Sequence, residues 1–199
     1  MAGQIEFLFD FVSPASYLAH CRLKGVVART GAIVDHVPVF LGGIMQATGN
    51  RPPGSVAAKG AWMRRDFDRF AARDGVPFAI NPHFPLNTLP LLRLATALQG
   101  DRRFLHFVDF AFDAMWRFPR NMAEPDEVRT LLINAGFDAG AELTRADSAE
   151  VKAQLKAATD AAVARGVFGA PTMFVGDEMW FGQDRIDWVE HAVSRPTPA

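Results

Sequence analysis

The chain has one cysteine, one tyrosine, no excess of either charge and no long apolar run in its 199 residues. The lone Cys21 excludes an intrachain disulfide and a CxxC redox pair, and it leaves no multi-cysteine zinc site. With 21 basic and 22 acidic residues the formal net charge is −1, so there is no electrostatic footprint for nucleic acid. No run of like charge suggests a polyanion or a membrane surface. No segment approaches the ~20 apolar residues of a membrane span. Met1 to Phe7 show no basic region followed by an apolar stretch. No secretory signal is therefore expected, and the chain reads as a cytoplasmic protein. The five histidines, at 20, 36, 83, 106 and 191, lack metal-ligand spacing, so no metal is expected. Gly42-Gly43 reads as a turn and not a phosphate loop, since no glycine pattern follows. No G-x-S-x-G motif supports a hydrolase triad.

What is present is an ordered change of pattern. Hydrophobic residues make up 49%, enough for a real core in one compact domain or one domain with a large insertion. Ile5 to Phe11 reads as a buried strand and Ser13-Pro14 as a helix start. The helix is expected from Pro14 to Thr30, with Leu18, Cys21, Leu23, Val26 and Val27 as its apolar side and Gly31 as its stop. Ile33 to Phe40 reads as a second strand, which makes a βαβ unit. Between residues 42 and 166 strand signal almost vanishes. A helix through Trp62, Phe67 and Phe70 and others at 88–98, 102–116, 125–135 and 148–165 read as a helical insertion. Thr172 to Phe181 returns to a hairpin turning at Gly176-Asp177, and Asp184 to Val193 reads as a closing helix. The expected division is 1–41 with 166–199 as one α/β domain, and 42–165 as an all-helical insertion.

Three short segments carry chemistry. Ser13 joins a buried strand to a helix N-terminus, where unpaired N–H groups and the helix dipole favour negative charge. A thiol there has its pKa lowered from about 8.5. A serine cannot become that thiolate, but it can donate a hydrogen bond to a thiolate on a bound molecule. On the dipeptide alone, Ser13 is a helix cap. Ala170-Pro171-Thr172 precedes a strand. About 5–6% of X-Pro bonds are cis. A cis bond here turns the Ala170 backbone toward the first helix, where it can pair with an extended peptide such as glutathione. In Phe181-Gly182-Gln183-Asp184-Arg185 a strand meets the last helix, which suits a carboxylate at the helix start and an ammonium at Asp184. A plain cap at Asp184 is the simpler alternative.

Phe9-Asp10-Phe11-Val12-Ser13-Pro14-Ala15-Ser16-Tyr17 resembles the opening of the 2-hydroxychromene-2-carboxylate isomerases and the kappa-class glutathione transferases. So do Phe168-Gly169-Ala170-Pro171-Thr172 and the segment Phe181 to Arg185. Thr48-Gly49-Asn50-Arg51-Pro52-Pro53 and Asn81-Pro82-His83-Phe84-Pro85 resemble the isomerase branch. The resemblance implies a thioredoxin-like fold of the DsbA and kappa type, with a mixed sheet and an inserted helical domain. It implies glutathione as cofactor, with Ser13 activating its thiol. Ala170 would bind the cysteinyl backbone beside a cis Pro171, and Gly182, Gln183, Asp184 and Arg185 would hold the γ-glutamyl end. Asn50 and Arg51 would lie near glutathione or a small aromatic carboxylate substrate, and Phe84 toward that substrate. A homodimer is implied as well. Ala15 departs from the pattern, since many relatives carry an aromatic residue there, and this implies an altered pocket shape.

The implied reaction interconverts 2-hydroxychromene-2-carboxylate and trans-o-hydroxybenzylidenepyruvate in aromatic hydrocarbon breakdown. A kappa-like transferase or peroxidase and a non-catalytic thioredoxin-like module are the alternatives. Arg51, Lys59, Arg64 and Arg117 are candidate anchors for the substrate carboxylate, between which the sequence does not choose. His83 in the pocket loop, and His20 if its face turns toward Ser13, are further candidates for mutation. Cys21 reads as a buried structural thiol.

Overall fold

The structure is a computed structural model that describes residues 3–195. Strand β1 (Gln4–Phe9) runs into helix α1 (Pro14–Thr30), which returns to β2 (Ile33–Pro38). Helices α2 (Leu41–Thr48), α3 (Ala57–Asp74), α4 (Leu89–Leu98), α5 (Phe104–Trp116), α6 (Pro125–Asn134), α7 (Ala139–Ala146) and α8 (Ala149–Ala164) follow. The chain closes with β3 (Thr172–Val175), β4 (Glu178–Phe181), a 3-10 turn at Gln183–Arg185 and α9 (Ile186–Val193).

The sheet order is β2-β1-β3-β4. β1 is parallel to β2, with Gln4 opposite Ile33, and antiparallel to β3, with Leu8 opposite Thr172. The side-chain alternation of a strand divides β1 between two cores. Ile5, Phe7 and Phe9 join the larger core, built with α1, α4, α5 and α6. Leu8 joins a smaller one with Val39, Ile44, Ala162, Val167 and Phe174, supplied by α2, α8 and β3. The larger core is continuous from the sheet into the intervening helices.

The expected strand ends two residues early. Asp10 bends the chain, its Oδ1 accepting from the Val12 N–H at 3.0 Å, as short Asx side chains do in turns. Helix α1 runs as expected, and Gly31 closes it at φ 69°, donating its N–H to the Val27 carbonyl. On its apolar side Leu18, Leu23 and Val26 are buried, Cys21 is half-buried and Val27 is exposed. Gly42-Gly43 is a correction: it lies inside α2 and is not a turn. A Cβ at Gly42 would stand 2.7 Å from Phe40 Cζ, so the glycines make room for the Phe40 ring on the helix. Helix α7, capped by Asp138, was absent from the sequence reading.

Candidate active site

The register of the sheet explains why residues from opposite ends of the chain meet. β3 begins opposite Leu8, so the residues before it continue past the C-terminal end of β1, where the Ser13 turn begins. Ser13 is 6% exposed. Its Oγ accepts from the Ser16 N–H at 3.1 Å, as an N-cap does, and donates to the Ala170 carbonyl at 3.0 Å. A hydroxyl has one proton, so that proton is committed to Ala170 in the free protein. The Ala170-Pro171 bond is cis. No hydrogen bond is made by the Ala170 N–H among the described residues.

The second wall follows from the β3–β4 hairpin. Thr172 lies opposite Phe181, and the Gly182 N–H donates to the Pro171 carbonyl at 3.0 Å. The turn at 182–185 is thereby held against Pro171. Gly182 has φ 97°, a conformation that favours glycine. Gln183 is buried, and its Oε1 has no hydrogen-bond partner. Asp184 does not cap a helix; its Oδ2 accepts from Arg185 Nη1 at 2.6 Å on the exposed rim.

Hydrogen bonds thus tie the Ser13 turn to Ala170 and the 182–185 turn to Pro171, and these segments carry a buried hydroxyl, an unpartnered N–H, a buried amide oxygen and a carboxylate. The family model of the DsbA-like thioredoxin domain matches residues 4–194. The chain is 32% identical to the 2-hydroxychromene-2-carboxylate isomerase of Sphingobium xenophagum, over 96% of this chain and 97% of that protein. The chain belongs to the 2-hydroxychromene-2-carboxylate isomerase family of DsbA-like proteins. A solved isomerase of that family superposes with a TM-score of 0.87 at 28% identity, covering 95% of this chain and 93% of that one. Human glutathione S-transferase kappa 1 is related at 27% identity over 94% of this chain and 89% of that protein. The family's relatives are thus isomerases and kappa transferases on a thioredoxin fold.

The other sequence candidates are only partly gathered. Asn50 is exposed, and its Nδ2 donates to the Phe168 carbonyl at 2.7 Å, which brings the 49–53 loop to the segment before Ala170. Arg51 follows it, its N–H donating to Asn50 Oδ1. Phe84 packs on Trp116 at 5.7 Å between ring centres. Trp116 Nε1 in turn donates to the Phe11 carbonyl, two residues before Ser13. Arg117 is engaged by Asp113 at 3.2 Å, whereas no carboxylate pairs with Arg51, Lys59 or Arg64 among the described residues. His83 is exposed. His20 is buried and bound elsewhere, 2.6 Å from Asp109 and 3.2 Å from His36. Burial pushes the Cys21 thiol up to about 11, which makes it a poor nucleophile at neutral pH. A groove of about 700 Å³ lies between α2, α4 and α8 and holds none of these residues. Polar groups left without partners, and not groove size, single out the Ser13 and Ala170 segments.

Sequence reasoning missed Asp10. It is 1% exposed, and it accepts from Val12 N–H, Thr88 Oγ1 at 2.7 Å and Leu41 N–H at 2.9 Å. One carboxylate therefore fastens the Ser13 turn to the starts of α2 and α4. Burial raises its pKa and the three donors act against that rise. The only trace in the sequence is an acid next to an otherwise apolar strand.

Proposed function

We propose that this protein is a glutathione-dependent isomerase that interconverts 2-hydroxychromene-2-carboxylate and trans-o-hydroxybenzylidenepyruvate, or close aromatic analogues, in aromatic hydrocarbon breakdown. The observation that carries the reading is the buried Ser13 hydroxyl at a helix N-terminus, 3.0 Å from the Ala170 carbonyl. Ala170 leaves its N–H unpartnered among the described residues, and the turn held against Pro171 carries the unpartnered buried Gln183 Oε1. These orphaned groups fit a peptide ligand with a thiol at its centre. Ala170 pairs with the cysteinyl backbone as an added strand would. The Gln183 Oε1 and the Asp184 carboxylate accept from the γ-glutamyl ammonium. Glutathione held there would supply a sulfur nucleophile for reversible addition to a conjugated carbon, with no net consumption.

The chain's own residues do the rest. Ser13 turns its hydroxyl from Ala170 to the sulfur and, with the N–H groups of the first turn of α1, favours the thiolate. Phe84, backed by the buried Trp116, offers an apolar wall that keeps water from the reacting carbons. Arg51, Lys59 or Arg64 neutralises the substrate carboxylate. A cytoplasmic homodimer belongs to the same reading.

The deciding test is an absorbance assay of 2-hydroxychromene-2-carboxylate isomerisation with and without glutathione. Conversion that requires glutathione, and that falls at least about a hundredfold in Ser13→Ala, is expected. Glutathione binding by calorimetry without conversion would favour the transferase, for which kinship to the kappa enzymes speaks. Neither binding nor conversion would leave a non-catalytic module.

A further inference from the structure

Arg22 lies on α1, with its side chain 9% exposed. A guanidinium presents five donors in a fixed plane. Here it serves three elements at once. Nε faces Asp74 Oδ2 at 3.0 Å, at the C-terminal end of α3. Nη1 donates to the Gln183 carbonyl at 2.6 Å, and Nη2 to Asp187 Oδ1 at 2.8 Å in the first turn of α9. Beyond Arg22, the backbone of the 182–185 turn is tied by the Gly182 N–H to the Pro171 carbonyl and by the Arg185 N–H to the Gly182 carbonyl.

We propose that Arg22 is the positioning residue for the 182–185 turn, fixing the Gln183 carbonyl so that the Gln183 and Asp184 side chains stand ready for the γ-glutamyl end of glutathione. The inference rests on the reading that this turn receives glutathione. Its new content is the route: the turn is located from α1 through the Arg22–Gln183 bond, while the Asp74 contact only steadies the guanidinium from α3. A guanidinium is required. An ammonium has no flat fork of donors and cannot take the three places of Nε, Nη1 and Nη2. Arg22 touches neither sulfur nor substrate, so it governs affinity for glutathione and not the chemical step.

The test compares wild type, Arg22→Gln, Arg22→Lys and Asp74→Ala. Glutathione binding is read by calorimetry, turnover by the isomerisation assay, and backbone order by amide hydrogen exchange without ligand. Arg22→Gln is expected to raise Kd and KM for glutathione at least tenfold, while kcat at saturating glutathione stays within twofold. Exchange should quicken at residues 183–187 and not in β1. Arg22→Lys should recover less than half of the lost affinity on a logarithmic scale. Asp74→Ala removes the α3 leg but leaves the Gln183 bond; it controls for lost stability and should change Kd less than threefold. A Kd within twofold of wild type in Arg22→Gln overturns the role of Arg22 alone. So does an Asp74→Ala effect as large as that of Arg22→Gln. A wild-type protein that binds no glutathione overturns the glutathione reading, and this inference with it.

Discussion

Two buried polar centres lie along α1, and they are satisfied in opposite ways. At the N-terminal end, Ser13 and Asp10 bond almost wholly to backbone: the Ser16, Val12 and Leu41 N–H groups and the Ala170 carbonyl, with Thr88 the one side chain. Two turns further on, His20 bonds to side chains. Its Nε2 is 2.6 Å from Asp109, which Lys24 also holds at 2.6 Å, and its Nδ1 is 3.2 Å from His36 Nε2. His36 Nδ1 donates to the Val34 carbonyl at 3.2 Å. The second centre is closed, with each nitrogen engaged. The first leaves the Ala170 N–H without a partner and a hydroxyl proton that can be redirected. A buried polar centre can bind when its partners are rigid backbone and one valence is spare. It is structural when every valence is used.

The largest effect expected from breaking this contrast comes from Asp10. Asp10→Ala strands two backbone N–H groups and the Thr88 hydroxyl in the interior. The loss should be about 3–5 kcal/mol of stability, measured by urea unfolding. Asp10→Ala should also weaken activity beyond the loss of folded protein, since the carboxylate anchors the turn that carries Ser13. A loss under about 1 kcal/mol would mean that the three donors find other partners.

Next comes the histidine centre, where pH acts. Burial, reinforced by neighbouring His20, pushes His36 down to about 4 from its ordinary 6.5. Burial also lowers His20, but the 2.6 Å contact with Asp109 opposes it, and burial of Asp109 is outweighed by its bonds to His20 and Lys24, which hold it near 2. A histidine with a depressed folded pKa is fully compatible with the fold above pH 6.5. As pH falls from 6.5 toward 4 the unfolded chain takes up a proton that the fold refuses, and stability is lost. The loss is about 3 kcal/mol across that window for a shift of this size. His36→Gln should flatten the urea midpoint between pH 7 and pH 4.5; an unchanged slope would place the acid sensitivity elsewhere.

How far the sequence speaks for each centre follows from where the partners lie. The frame was legible, because periodicity and caps are local: Ser13-Pro14 and Gly31 stand at the two ends of α1. Membership of the isomerase family was legible too, from motifs at both ends of the chain. Helix α2 was hidden by Gly42-Gly43, whose low helix propensity is overridden by packing with Phe40. Asp10 and Arg22 were invisible as organisers, because Thr88 and Gln183 are 78 and 161 residues away from them. The contact of Ser13 with Ala170 spans 157 residues, and no local pattern reports it. Local rules report elements; long-range hydrogen bonds report which polar residues hold them together.

The smallest and sharpest test sets two positions on α1 against each other within one molecule. In Ser13→Cys a thiol stands at the helix N-terminus, while Cys21 remains in mid-helix with its thiol pushed up to about 11 by burial. Alkylation by iodoacetamide at pH 7.5, followed by peptide mapping, reads both thiols in the same sample. The introduced thiol should react at least about tenfold faster, because first-turn N–H groups and the dipole favour its thiolate. Two forces oppose that outcome at this position: the site is itself buried, and the Asp10 carboxylate is only three residues away. The experiment therefore measures which force wins at the spot where glutathione sulfur is proposed to sit. A thiol there that titrates above about 8.5 would mean that burial and Asp10 outweigh the helix end, and thiol activation by Ser13 would lose its physical basis. A thiol that titrates well below it would show the cleft stabilising a thiolate without help from the substrate.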